Sequence, residues 1–334
     1  MTRCLVTGGA GFIGSHLVDR LIGDGHEVIV IDNFATGRRG NLAQHVGEER
    51  LLLVDADVAN LAATRAYFEG VDWVFHLAAL ADIVPSIQRP LDYHHANVDG
   101  TVAVLEACRG AGVARLVYTA SSSCYGLPDV FPTPESAPMQ PQYPYALTKY
   151  VAEQYVLHWG RLYRLPVVSL RLFNAYGLRS RTSGAYGAVF GVFLAQKLAK
   201  QPFTVVGDGT QTRDFTYVAD IVEALVRVAE SDLADEVFNV GSGVCHSINR
   251  LVELIGGEAV SIPRRPGEPD CTLADTSRIQ RLLGWKARVH LEVGVARMLA
   301  EIERWRDAPV WTPARISEAT REWFQHLGEG RSGK

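Results

Sequence analysis

The sequence predicts an α/β fold, a doubly wound parallel sheet followed by a smaller C-terminal α/β lobe. Three observations predict it. In the first half, short β-branched runs alternate with segments of helical length, the pattern of βαβ units. Those runs are continuously apolar rather than alternating, which fits a sheet covered on both faces. After about residue 172 the alternation loosens, with more Gly and Pro and short strands such as FTVVG and VFNVG.

In chain order, CLVT, EVIVID, RLLLVDA, WVFHLAA and ARLVYTA read as strands. Segments 12–24, 59–69, 86–110 and 144–163 read as helices. Strands so connected form right-handed crossovers and lie parallel. The expected division is a nucleotide-binding domain at 1–172 and a lobe at 173–327 interleaved with the last strands of the sheet. A frayed tail, GEGRSGK, is expected at 328–334.

The bulk properties exclude several classes. The chain has 334 residues, a length that suggests roughly two domains of ~150 residues. A content of 47% hydrophobic and 21% charged residues is that of an ordinary globular protein with a sizeable core. A net charge of −4 gives no basic field for nucleic acid or an anionic membrane. The longest apolar runs, such as 187–194, fall far short of the ~20 residues of a membrane span. The N-terminus passes straight into a strand, without the apolar stretch of a signal peptide. The five cysteines, Cys4, Cys108, Cys124, Cys245 and Cys271, are scattered and form no C-x-x-C pair. That argues against disulfides and zinc and for a reducing cytoplasm. His94, His95 and His246 have no partner cluster that would suggest a metal.

Residues 7–14 read TGGAGFIG, with Gly8, Gly11 and Gly14 between a strand and an amphipathic helix. Gly8 allows the tight turn, Gly11 lets the backbone approach a pyrophosphate, and Gly14 lets helix and strand pack closely. The helix N-terminus then offers unpaired N–H groups to phosphate. The next strand, EVIVID, ends in Asp32, about 20 residues on. A carboxylate there accepts from a ribose hydroxyl and repels a 2′-phosphate, so the expected cofactor is NAD rather than NADP. Arg38 and Arg39 lie a few residues downstream and are the argument for NADP.

The stretch TASSSCYG, 119–126, ends a strand in a serine cluster, and YALTK follows with Tyr145 and Lys149 at i, i+4. On a helix both side chains share one face. An ammonium beside a phenol lowers the phenol pKa from ~10 toward neutrality and makes it a usable base. Strand carboxyl ends line the ligand crevice in this topology, so Ser121 should meet Tyr145 over the nicotinamide.

With these motifs in order the sequence resembles the extended short-chain dehydrogenase/reductase family, in particular its nucleotide-sugar epimerases and dehydratases. The resemblance spans about residues 3–305. It rests also on DADV with Asp57, FHLAA at 75–79, NVDGT at 97–101, LRLFNAYG at 170–177, GDGTQTRDFTYVAD at 207–220 and RRPGEPD at 264–270. It implies a Rossmann-type sheet and a substrate-binding C-terminal lobe. It makes Ser121 the catalytic hydroxyl, Tyr145 the base and Lys149 the ribose-binding cation. Phe12 and Ile13 would cap the pyrophosphate and Asn33 would flank Asp32. Asp57 and Val58 would meet adenine. Leu77, Ala78, Ala79, Ala81, Asn97 and Phe173 would line the cofactor. Ser122 would touch substrate, while Asn174, Arg213 and Arg265 would hold its nucleoside diphosphate; arginine's planar fork donates bidentately to phosphate.

The resemblance leaves the reaction open. The family's 4,6-dehydratases carry an acidic pair after the catalytic hydroxyl residue, and its decarboxylases a glutamate. Here Ser122 and Ser123 follow, with no carboxylate before Asp129. That favours a 4-epimerase for a UDP-sugar. A dehydratase is the alternative, and an inactive NAD-sensing scaffold a second; scaffolds of this kind usually lose the Tyr or the Lys. In the 4-epimerases a residue three before the acid of an Ala-Asp pair gates the sugar's C2 side. Here the pair is Ala274-Asp275 and the gate Thr272. The family also implies a homodimer through the helices of 86–110 and 144–163.

Overall fold

The computed structural model describes residues 1–180 and 188–328. Past Gly328, the expected tail lies outside the described residues. Seven parallel strands form the main sheet: β1 (Arg3–Thr7), β2 (Glu27–Asp32), β3 (Leu51–Asp55), β4 (Trp73–His76), β5 (Arg115–Ser121), β6 (Val167–Leu172) and β7 (Glu236–Val240). Their order is β7-β6-β5-β4-β1-β2-β3. The chain runs outward from β1 to β3, then returns to the other side of β1 at β4. That reversal opens a crevice at the carboxyl ends of the strands. The strand VFNVG thus belongs to the main sheet, after the smaller lobe has begun.

Each strand divides its side chains between two cores, because successive residues face opposite sides. Cys4, Val6, Val30, Phe75 and Val117 meet Leu17, Leu21 and Leu225 on one face. Leu5, Ile29, Val74 and Leu116 meet Leu105 and Val156 on the other. Helix α1 (Phe12–Gly23) lies on the first face. Helices α2 (Gly100–Ala111) and α3 (Pro144–Tyr163) lie on the second. The lobe has its own core around Phe190, Phe193, Phe203, Leu251, Trp305 and Trp323, with FTVVG pairing in parallel with Ala259–Ile262.

The segment expected as one helix over 86–110 is broken. Ile83–Gln88 ends before Pro90, Pro90–His94 follows, and His95–Asp99 forms a single π-type turn before α2. Pro90 supplies no N–H and clashes with a continuing helix, so Arg89 leaves the helical region. The π turn swings Asn97 inward, and such turns recur at functional sites. Among the described residues no helix is long and apolar enough to cross a membrane.

Candidate active site

A cleft of about 1280 Å³ runs along the carboxyl ends of the strands to the loops of the lobe. Of the residues expected to be catalytic or to bind cofactor or substrate, all line it except Asn97 and Phe173. Asn97 is buried; its Nδ2 donates to Leu80 O (3.0 Å) and Thr148 Oγ1 (2.9 Å), and its Oδ1 accepts from Leu80 N (2.8 Å). It therefore ties the Leu77–Ala81 loop to α3 rather than lining the cofactor. Phe173 packs behind the cleft on Tyr125, ring centroids 6.2 Å apart.

The glycine turn is built for close approach. Gly8 has φ +70°, and a Cβ on it would stand 2.8 Å from Ala78 N. A Cβ on Gly14 would stand 2.2 Å from Gly8 O. Helix α1 begins at Phe12 with no side-chain cap and no acid in its first turn, leaving N-terminal amides open to an anion. Asp32 is buried, and its carboxylate accepts from Ala10 N (3.0 Å) and Phe34 N (2.8 Å). Burial pushes its pKa up while those bonds oppose the shift. Asn33 Nδ2 donates to Asp57 Oδ2 at 3.1 Å. Arg39 is engaged with Asp55 (2.6 Å), and Arg38 donates to the carbonyls of Arg179 and Ser180 (3.3 Å). Open amides at an uncapped helix end, a glycine cradle and a buried carboxylate acceptor fit a dinucleotide with a free ribose hydroxyl.

Ser121 closes β5, and Tyr145 stands one residue inside α3, whose start is set by Pro144 at its first position. The Ser121 hydroxyl faces the Tyr145 phenol closely enough to pull its pKa down. Ser121 Oγ also bonds Ser123 Oγ (2.8 Å) and accepts from Ser123 N (3.2 Å). Lys149 Nζ lies 4.4 Å from the centroid of the Tyr118 ring. The expected low phenol pKa is not found. Burial pushes Tyr145 up to about 12, and only the Ser121 hydroxyl pulls it down. Lys149 is pushed down to about 8, chiefly by burial. Desolvation by burial dominates for both groups, and the ammonium lies on the face of the Tyr118 ring.

At the other end, Asn174 is held at φ 25° and donates to Thr272 Oγ1 (2.8 Å) and Asp214 O (3.1 Å). Thr272 Oγ1 also accepts from Asp214 N (3.2 Å). Arg213 Nη1 donates to Thr212 O (2.9 Å), and Arg265 pairs with Glu268 (3.2 Å). Sequence reasoning missed Tyr143, Glu268, Trp311 and Trp323, all of which line the cleft. It also missed buried His76, which bridges Thr7 Oγ1 (2.7 Å) and Thr101 Oγ1 (2.9 Å) and is pushed down to about 3 by burial. His76 left a trace inside FHLAA, and Glu268 inside RRPGEPD. Among the described residues no group of His, Cys, Asp and Glu could hold a metal.

Residues 4–241 match the model of the NAD dependent epimerase/dehydratase family. The chain belongs to that family. This epimerase/dehydratase is 38% identical to the UDP-glucose 4-epimerase of Mycolicibacterium smegmatis, over 88% of this chain and 96% of that one. It is 36% identical to UDP-glucuronic acid decarboxylase 1 of Xenopus tropicalis, over 89% of this chain and 71% of that one. Its structure resembles the UDP-glucose 4-epimerase of Thermotoga maritima solved with UDP-glucose: TM-score 0.84, 34% identity, 91% and 99% covered. It also resembles the UDP-glucuronic acid 4-epimerase of Bacillus cereus solved with UDP-glucuronic acid and NAD: TM-score 0.84, 31% identity, 91% and 99% covered. The family is NAD-dependent. Relatives near this identity include both 4-epimerases and decarboxylases.

Proposed function

We propose that the protein is a nucleotide-sugar 4-epimerase, acting on a UDP-hexose, UDP-N-acetylhexosamine or UDP-uronate through a 4-keto sugar. One observation carries the reading. The turn Ser122–Tyr125 that follows Ser121 holds hydroxyls and a buried thiol, and no carboxylate. Asp129, the next acid, is exposed and outside the cleft. Eliminating water across C5–C6 needs an acid and a base besides the C4 machinery, and this turn offers neither. Cys124 is fully buried, its Sγ donates to Ala146 O (3.5 Å), and it does not line the cleft.

In this reading the open end of α1 at Phe12 and Ile13, with Gly8, Gly11 and Gly14, takes the pyrophosphate. Asp32 and Asn33 take the adenosine ribose. Asp57 and Val58 flank adenine, and Leu77 to Ala81 cover the nicotinamide half. Bound NAD supplies the hydride acceptor and donor. The protein's own residues handle one proton: Tyr145 Oη removes it from the C4 hydroxyl, Ser121 shares the hydrogen bond, and Tyr145 returns it when C4 is reduced on its other face. Lys149 holds the nicotinamide ribose. Asn174, Arg213 and Arg265 hold the diphosphate, and Thr272 borders the sugar's C2 side. The protein is read as a cytoplasmic homodimer. Support for pairing comes from α3, which leaves Leu147, Tyr155, Leu162 and Tyr163 exposed; sedimentation at micromolar concentration checks it, and a clean monomer contradicts it.

The test of the reaction is a product screen by NMR on UDP-glucose, UDP-N-acetylglucosamine and UDP-glucuronate. Inversion at C4 of at least one is expected. A 4-keto-6-deoxy product or loss of carbon dioxide would overturn the assignment.

A further inference from the structure

We infer that Trp323 is a positioning residue for the diphosphate end of the substrate site, fixing the Arg265 loop against the start of the helix that carries the base. The inference rests on the proposed role of Arg265 as a phosphate clamp. The family resemblance fades near residue 305, and the chain continues into helices Pro313–Ala319 and Arg321–Leu327. They fold back so that Arg321–Leu327 packs on Ile83–Gln88 at the mouth of the cleft. Trp323 is 2% exposed and yet lines the cleft. Its Nε1 donates to Pro266 O at 2.8 Å. The Arg265 guanidinium lies over its ring, 5.5 Å from the centroid. It also packs near Tyr143, ring centroids 6.2 Å apart, the residue that precedes α3 and stands two before Tyr145.

What makes this contact matter is the loop it holds. Residues 264–270 have no ladder of their own between the strand ending at Ile262 and the bridge at Cys271. Gly267, at φ +75°, turns the chain there. The Arg264 pairs with Asp208 and Asp270 are exposed, and such pairs restrain little. The bond from a buried indole to the Pro266 carbonyl is of a different kind, since losing it leaves that acceptor without its indole donor. A guanidinium over an indole face is also held by the ring quadrupole. Both restraints act on the residue proposed to meet phosphate and on its immediate neighbour, so they pre-order the clamp before substrate arrives.

The experiment measures UDP affinity by calorimetry, NAD affinity, and kcat and KM for the best substrate. The variants are Trp323→Phe, Trp323→Met, Arg265→Met and the double variant Trp323→Phe/Arg265→Met. Trp323→Phe keeps an apolar ring and loses the donor. It should weaken UDP binding and raise KM about fivefold to tenfold, the scale of one buried hydrogen bond, with kcat within about twofold and NAD affinity unchanged. In the double variant the Trp323 change should add little, because the group it positions is gone. Wild-type UDP affinity in both Trp323 variants overturns the inference and leaves the clamp intact. Fully additive losses overturn it as well, since Trp323 would then act independently of Arg265. If Arg265→Met binds UDP normally, the clamp reading itself falls, and the inference with it. Loss of NAD binding in both Trp323 variants would show a general structural role and also overturn it.

Discussion

The end of the cleft proposed to take the cofactor is made largely of backbone, and the end proposed to take the substrate is made of side chains. At the first, the decisive features are the glycines at 8, 11 and 14, the open amides of α1, and Asp32 held by two main-chain N–H groups. At the second, Asn174, Arg213, Arg265, Glu268 and Thr272 come from separate segments that meet only in the folded lobe. Backbone sites need fixed spacing along one stretch of chain. Side-chain sites need only convergence in space, so one scaffold can exchange its substrate end while keeping its cofactor end. Relatives that epimerise and relatives that decarboxylate, at similar identity to this chain, fit that division. Tyr145 stands at the junction.

The largest expected effect is there. Tyr145→Phe removes the proton acceptor and keeps the ring, so turnover should fall at least ~10²-fold. NAD and UDP affinities, measured separately, should stay near wild type; loss of either would show that the junction is not independent of the two ends. At the cofactor end, Asp32→Ala should cut the preference for NAD over NADP by roughly tenfold or more, the scale of lost charge-assisted hydrogen bonds. Competition binding of the two dinucleotides reads it, and an unchanged preference would move selectivity to another residue. UDP affinity should not respond.

The same division explains what was legible in the sequence. The sheet, the glycine turn, Asp32 and the Ser121–Tyr145–Lys149 set were readable because each depends on local spacing. The break of the 86–110 helix was readable in principle at Pro90, yet the π turn that sends Asn97 inward has no local signature. Phe173 sits at the end of β6 and faces Tyr125 rather than the cleft, a side choice that a family motif does not fix. Tyr143 and Trp323 reach the cleft from separate segments, and nothing in their sequence neighbourhoods announces them; Glu268 lies inside RRPGEPD, but the motif alone does not show that it pairs with Arg265. The raised phenol pKa was out of reach for another reason: it depends on burial, which spacing does not report.

At the substrate end, Thr272→Tyr should suppress turnover of an acetamido sugar about tenfold relative to its unsubstituted counterpart, because a ring rejects only the larger substrate. Thr272→Ser keeps the acceptor for Asn174 and should change neither. Equal loss on every substrate in Thr272→Tyr would mean that the variant breaks the Asn174–Thr272 bond rather than filling space.

The smallest effect is on stability. The folded pKa of Lys149, about 8, lies below the ordinary lysine value of ~10.4. Between those values the unfolded chain binds the extra proton, so stability falls as pH drops toward 8. Lys149→Met removes that cost. It should raise the melting temperature by a few degrees at pH 7, with the gain fading as pH rises above 8. A gain that does not fade would assign the effect to packing instead of charge.

The most direct test of the central claim is the fate of hydrogen at carbon. The purified protein is incubated in D2O with each UDP-sugar of the product screen, without added oxidant, and the products are read by NMR. Epimerisation through C4 predicts inversion at C4 with no deuterium on any ring carbon, because the hydride leaves and returns without meeting solvent. Deuterium at C5, or a product that is not inverted at C4, would contradict it.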